Sequence, residues 1–359
     1  MTNREKELLK IIKDDPLISQ IELADKLNIT RSSVGVHISN LIRKGYIKGK
    51  GYILNELPYC TVIGGANMDV QCFPKDILTY HDSNPGNVKL SLGGVGRNIA
   101  ENMARLGLRT KLISVVGDDL YADAILKGSE EAGVEMDDSL ILEKTNSSTY
   151  FSILNEKGDL EIAISAMDIY DNLDEEFIKK KDKIIENSRV IIVDTNIPKE
   201  TIEYIVKRHK NTVFFIDTVS TAKSMKIKDI LGYFHTIKPN KIEAEKLSGI
   251  IINNDSDLDR VADYFFEQGV KNVFISLGQD GVYYNNQKEK GKILGEEVEV
   301  VNATGAGDAF LAALVYGYLN EFSMEEMARM AQKASILTLK HEDTINPNMN
   351  LKNILEEGE

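Results

Sequence analysis

The chain predicts an α/β protein: a mainly parallel sheet flanked by helices, preceded by a small helical domain. Three observations carry this. From residue 110 onward, short apolar runs rich in β-branched residues alternate with stretches of helical period, the pattern of a parallel sheet with helices on both faces. Two Gly-rich turns, at 93–96 and 305–307, each run straight into a helix, and the second makes an anion-binding end. Charge is uneven: residues 1–57 hold ten Lys/Arg and seven Asp/Glu, whereas all 359 residues together carry a formal charge of −13. A slightly basic head on an acidic body points to two jobs and argues against nucleic acid on the body.

Composition removes several classes. The apolar fraction of 42% supports a sizeable core, and 28% charged residues is ordinary for a soluble protein. No run approaches the ~18 apolar residues of a membrane span, and the opening Met-Thr-Asn-Arg-Glu-Lys-Glu has no apolar signal core. Cys60 and Cys72 are the only cysteines, so a reduced, cytoplasmic setting is expected and thiolate metal binding is not. No Gly-x4-Gly-Lys-Ser/Thr string occurs, which excludes a P-loop kinase, and no Cys/His cluster suggests a catalytic transition metal.

The head is taken as residues 1–56. Leu8, Leu9, Ile11 and Ile12 make Arg4–Lys13 amphipathic, and Asp14-Asp15-Pro16 ends that helix. Ser19 with Glu22 three residues later is a capping box, opening a helix through Leu23, Ala24 and Leu27 to Asn28. Thr30 caps a third helix through Val34, Ile38 and Leu41 to Gly45. Short strands near Tyr46-Ile47 and Tyr52-Ile53 complete a winged helix-turn-helix plan, which resembles the DNA-binding heads of many bacterial regulators. The resemblance implies that Arg31, Ser32, Ser33 and His37 face the groove and that Lys48 and Lys50 lie near phosphates on the wing. Such a modest positive charge needs a dimer to hold DNA, so a homodimer is expected.

In the body, Tyr59–Gly65 reads as a buried strand that delivers Asn67 and Asp69, one polar pair on one side, at its C-terminal end. A turn-rich loop, His81–Asn87, follows. Gly93-Gly94-Val95-Gly96-Arg97-Asn98 then enters a helix. Further strands are expected at Lys111–Val116, Val190–Asp194, Val213–Asp217 and Val273–Leu277, with helices at 118–132, 199–209, 239–248 and 257–268. Ser148–Leu154 and Leu160–Ile164 read as a hairpin. Asn240 and Glu243, three apart, share a helix face and by themselves read as a helix N-terminus with Asn240 as its cap. Val298–Val301 reads as a strand end that leads into Asn302-Ala303-Thr304-Gly305-Ala306-Gly307-Asp308-Ala309-Phe310. Gly305 and Gly307 let a backbone close on a ligand and turn its N–H groups outward, and Asp308 beside such an anion hole suits a base acting on a hydroxyl.

These strings resemble the ribokinase-like (PfkB) carbohydrate kinases over about residues 59–350, most closely the bacterial pseudouridine kinases. The nearer likeness lies in Asp82-Ser83-Asn84-Pro85-Gly86, Ser148-Thr149-Tyr150, Asp217-x-Val219-Ser220, His235-Thr236-x-Lys238-Pro239-Asn240 and Asp280-Gly281-Val282-Tyr283-Tyr284. The resemblance implies a ribokinase-like domain over 57–359 with a small β lid at about 70–92 and 146–166. It implies transfer of the γ-phosphoryl of ATP, with Mg2+, to the 5′-hydroxyl of a nucleoside, pseudouridine first. Ribose, adenosine or another nucleoside is the alternative acceptor, and a ligand-sensing transcription regulator is the alternative role. It makes Asp308 the base and Gly305, Ala306 and Gly307 the anion hole. Asn67, Asp69, Gly93, Gly94, Asn98 and Asn196 fall on the sugar, and Ser83, Asn84 and Thr149 near the nucleobase. Asn240 and Glu243 position magnesium through water, Ser276, Gly278, Gly281 and Thr304 meet the nucleotide, and Gln332 passes the adenine. Two positions depart from the pattern: Val95 replaces the lysine of ribokinases, and Asn302 replaces an aspartate that helps bind K+ in many members.

Overall fold

A computed structural model of the chain describes residues 1–48 and 58–355. It forms two compact units, Met1–Pro58 and Tyr59–Glu359.

The first unit is three helices, Asn3–Asp14, Gln20–Leu27 and Arg31–Arg43. Ser19 and Glu22 form the expected capping box, and Asn28 ends the second helix in the left-handed region at φ 50°. Thr2 and Glu5 make a further box at the first helix, which starts one turn before its apolar pattern does. Leu8, Ile12, Leu23, Val34, Ile38, Leu41 and Ile47 fill the core between the helices. Lys44 closes it by an ion pair with the buried Glu5 at 2.7 Å. The second strand expected for the wing, Tyr52-Ile53, and Lys50 lie outside the described residues.

The second unit is built on a nine-stranded sheet. Its order is Lys290–Ile293, Val282–Asn285, Asn272–Ser276, Thr236–Ile237, Phe214–Asp217, Ile191–Asp194, Cys60–Ile63, Thr110–Ile113, Val134–Glu135. The seven strands from Asn272–Ser276 to Val134–Glu135 pair in parallel, and the other two are antiparallel. The parallel strands are buried on both faces, as their unbroken apolar runs require. Neighbouring residues divide between two cores: Phe215, Ile192 and Val62 pack under helices on one side, and Phe214, Val193 and Ile63 on the other. Residues 294–304 form no strand, so the strand end expected at Val298–Val301 is absent. Val300 and Val301 are more than half exposed, and Val301 donates instead to the Leu339 carbonyl at a helix end.

A second sheet of four strands, in the order Gly86–Gly93, Asn67–Pro74, Thr149–Leu154, Leu160–Ala166, is the lid. The strand beginning at Cys60 therefore does not carry Asn67 and Asp69. The chain leaves the main sheet at Gly64-Gly65-Ala66 and re-forms as a lid strand. Tyr170 pins this crossover by donating to the Ala66 carbonyl at 3.0 Å. Across the lid, Ser91, Asp69, Tyr150 and Ser165 stand in one row on one face, and Leu90, Val70, Phe151 and Ile164 in the next row on the other.

Candidate active site

The helix Ala306–Leu319 is apolar nearly all round and packs between the helices Val95–Arg105 and Met324–Leu339. Burial fixes its axis, so its first turn has a defined position. Gly305 precedes it at φ 83°, and a Cβ there would lie 2.1 Å from the Thr344 carbonyl oxygen, so only glycine fits. The first intrahelical bond is made by the Ala309 N–H to Gly305, which leaves the N–H groups of Ala306, Gly307 and Asp308 without an acceptor in the helix. Asp308 sits in this turn at 8% exposure.

The other glycine turn meets this one. Gly94, at φ 97°, caps the helix Val95–Arg105, and its own Cβ would lie 2.5 Å from the Gly65 carbonyl oxygen. Asn98, one turn along, donates its side-chain amide to an Asp308 carboxylate oxygen at 2.9 Å. Residues 210 apart in sequence are thus in direct contact. Asn67 donates to Asp69 at 2.5 Å, and a Cβ on Gly93 would touch the Asp69 carboxylate. Asn67, Asp69, Gly93, Gly94, Asn98 and Asp308 therefore form one group where the lid joins the main sheet.

The strand ends below are acidic. Asp194 and Asp217 stand side by side at the C-terminal ends of adjacent parallel strands. Asp194 is fully buried and accepts from the N–H groups of Gly65 and Asn196, both at 2.8 Å. Lys238, 7% exposed, pairs with Asp217 at 3.3 Å. Burial raises the Asp308 pKa well above the ordinary carboxylate value, and the charge of Asp217 adds to this. The Asn98 hydrogen bond and the Lys238 ammonium oppose it. Burial also pushes Asp69 up to about 6, against the hydrogen bond from Asn67 and the charge of Arg97.

A cavity of about 960 Å³ opens on the other side of the 306–307 turn. Asn240, Ser276, Gly278, Gly281 and Gln332 line it together with Ala306, Gly307 and Lys238. Gln332 donates to the Leu294 carbonyl at 2.7 Å. Asn240 and Glu243 form a full capping box on the helix Lys241–Ser248. One Glu243 oxygen, Oε2, accepts from the Asn240 N–H at 2.9 Å and from the Thr218 hydroxyl at 2.7 Å, whereas Oε1 has no hydrogen bond among the described residues. Asn240 lines the cavity and Glu243, one turn further in, keeps one oxygen without a hydrogen bond among the described residues, an oxygen pair that fits a hydrated Mg2+ held through water. Asn302 does not fit a monovalent cation in the same way. Its amide nitrogen donates to the Glu342 carbonyl at 3.1 Å and its oxygen accepts from the Thr304 N–H at 2.9 Å.

Other expected residues lie apart. Ser83 and Asn84 are exposed in the loop between two lid strands, and the Asn84 amide is spent on Thr79 and Asp82 within that loop. Thr149 is buried and donates to the Ser147 carbonyl at 3.1 Å. Asn196 accepts from Lys223 at 2.6 Å. Thr304 is exposed, and it and Glu243 are not among the cavity-lining residues. In the head, Arg31, Ser32 and Lys48 are exposed, the hydroxyls of Ser32 and Ser33 bond to Thr30, and His37 is half-buried with its Nδ1 unpartnered among the described residues. Sequence reasoning missed Lys238, Asp194 and Asp217 as site residues. The available signal was a charged residue closing or following three apolar strands in turn: Ile191–Asp194, Phe214–Asp217 and Thr236–Lys238.

A buried carboxylate beside a helix N-terminus, between a cavity and a lid, defines a phosphotransferase of the ribokinase-like class with an alcohol acceptor. The chain belongs to the pfkB family of carbohydrate kinases, whose family description matches residues 57–351. Residues 1–48 match a winged helix-turn-helix DNA-binding family. The chain is 38% identical over 303 residues to pseudouridine kinase of Escherichia coli, covering 84% of this chain and 97% of that one. It is 36% identical over 356 residues to an uncharacterized sugar kinase of the same organism, covering 99% and 98%. The solved structure of a protein described as a sugar kinase from Clostridium perfringens superposes with a TM-score of 0.78 at 41% identity, covering 84% of this chain and 96% of that one.

Proposed function

We propose that the protein is a nucleoside kinase that phosphorylates the 5′-hydroxyl of pseudouridine from ATP. The observation that carries this is the contact of Asn98 with Asp308 at the end of the lid strand holding Asp69. It supports a sugar seated on Asp69, Gly94 and Asn98 with one hydroxyl against the Asp308 carboxylate. The likeness to pseudouridine kinase over 84% of this chain supports the choice of acceptor. Val95, in place of the ribokinase lysine, leaves room for a base on the sugar.

In this reading Asp308 takes the proton of the attacking hydroxyl, as the O5′–P bond forms and the bond from the γ-phosphorus to the β-phosphate oxygen breaks. The free N–H groups of Ala306, Gly307 and Asp308 stabilise the transferring phosphoryl. Ser276, Gly278, Gly281 and Gln332 hold the nucleotide in the cavity. Asn240 and Glu243 would hold Mg2+ through water, where it supplies charge neutralisation on the phosphates. In this reading Asn302 meets the Glu342 carbonyl with its own N–H, and K+ activation is not expected.

The test is ATP-dependent phosphorylation across pseudouridine, uridine, adenosine, ribose and fructose, with Asp308→Asn as control. Turnover of pseudouridine that collapses in the variant upholds the reading. Tight nucleoside binding with no turnover points to a ligand sensor instead. Exchange of K+ for Na+ is expected to leave the pseudouridine rate within about twofold, since no cation–carboxylate contact is lost.

The head supports a second, compatible role in DNA binding. Arg31, Ser32, Val36, Ser39 and Arg43 are exposed at helical spacing along its third helix, the face such domains turn to the major groove. If nucleoside binding alters DNA affinity, DNA alters nucleoside affinity by the same factor.

A further inference from the structure

We propose that Lys238 grips the γ-phosphoryl group during transfer, opposite the N–H groups of the 306–308 turn; the proposal rests on the kinase reading above. Lys238 follows the strand Thr236–Ile237 and precedes the Asn240 cap, so two rigid elements fix its backbone. Its side chain lines the nucleotide cavity, is 7% exposed, and reaches the signature turn. A methyl group built on Gly307 would lie 3.1 Å from its Nζ. The ammonium thus stands beside the turn whose free N–H groups face the reacting phosphorus.

The ammonium is also loosely held. Among the described residues its partners are an Asp217 oxygen at 3.3 Å and the Gly307 carbonyl at 3.4 Å. Charge-assisted bonds of this kind run at about 2.7–2.9 Å when they are satisfied. A buried ammonium whose bonds are all long is costly to keep unless something else completes them. A phosphoryl oxygen arriving at the turn offers short bonds to the same three N–H donors, and a compact point charge suits that anion. Asp217 keeps the ammonium near this position between turnovers.

During transfer the proton of the acceptor hydroxyl passes to Asp308. The new O–P bond forms as the bond to the β-phosphate oxygen breaks, and that electron pair leaves on ADP. Lys238 stays an ammonium throughout and neutralises charge on the transferring oxygens.

A structural counter-ion for Asp217 and Asp308 is the competing role, and a transition-state mimic separates the two. Binding of ADP to the full-length protein with Mg2+ and pseudouridine is measured by calorimetry with and without aluminium fluoride, whose complex occupies the place of the transferring phosphoryl. For the wild type we expect aluminium fluoride to tighten ADP at least about tenfold, as a charge clamp requires. For Lys238→Met we expect less than about twofold tightening with ADP alone bound as before, and a fall in kcat of about 10²–10³ with the nucleoside KM within threefold. Should the Met variant unfold, Lys238→Gln, which keeps a polar head of similar reach, is measured instead. Aluminium fluoride tightening that survives in the variant overturns the assignment, as does loss of plain ADP and nucleoside affinity together. If the wild type binds neither ADP nor nucleoside, the kinase reading itself falls and takes the assignment with it.

Discussion

Asp308 is a carboxylate kept where a neutral group would be more comfortable. Burial and the charge of Asp217 raise its pKa, so its ionised form weakens the fold at neutral pH relative to an uncharged side chain. Asp308→Asn keeps an acceptor for the Asn98 amide and removes the charge. It should lower kcat by about 10³ or more yet raise the melting temperature by about 2 °C, read by a coupled assay and a thermal scan on one preparation. An Asp308→Asn protein that is both inactive and less stable would count against a buried base. Asp69 gives the pH test. In the proposed reading its carboxylate accepts sugar hydroxyls while ionised; with a pKa raised to about 6, it protonates as the pH falls through that value. The nucleoside KM should therefore rise below pH 6 and be flat above 7, and Asp69→Asn should be insensitive across this range.

At the scale of elements, the two glycine turns do the positioning. Gly305→Ala places a Cβ against the Thr344 carbonyl at a positive φ, so the first turn of its helix must shift. A shift of about 1 Å there should cost about 10²-fold in kcat, with ADP binding changed far less, measured by steady-state kinetics beside calorimetry. The 305–308 turn was legible because nine residues, 302–310, match together, whereas a bare Gly-x-Gly-Asp is as readily an ordinary helix start. The lid was legible as a hairpin and a loop but not in its starting point. Asn67 and Asp69 read as the end of the first strand because nothing local marks a change of sheet within Gly64-Gly65-Ala66. The Tyr170 hydroxyl that pins the crossover comes from 104 residues away. The expected strand at Val298–Val301 failed for the opposite reason. Its β-branched residues suit a strand, but no neighbouring strand is there to pair with, and the helix end at Leu339 takes the Val301 N–H instead. Lys238 went unassigned because its value depends on Asp217 and Gly307, which only the folded sheet brings beside it.

At the scale of the whole molecule, the head and the kinase unit each own a core. Among the described residues, 1–48 bury Leu8, Leu23, Ile38 and Leu41 in one core, and the two cores of the second unit are made of residues from Cys60 onward. A chain beginning at Tyr59 should therefore fold and phosphorylate pseudouridine with kcat within about twofold of the full chain, and lose any DNA retardation. Loss of activity on removing the head would show that the two units depend on one another. The uneven charge was the sequence signal for this division, and it sufficed because charge is a sum and needs no contacts.

The lid has a consequence beyond one substrate. It is made from two excursions, 67–93 and 149–166, that each leave the body of the fold and return to it, whereas Asp308, the 305–307 turn and the cavity beside it belong to chain that never enters it. In the proposed reading the Asp69 part of the acceptor contact is therefore encoded apart from the phosphoryl chemistry, while Gly94 and Asn98 stay with the body. Drift or recombination within the two excursions can try new acceptors on an unchanged catalytic engine, and a failed trial costs affinity for one sugar rather than the enzyme.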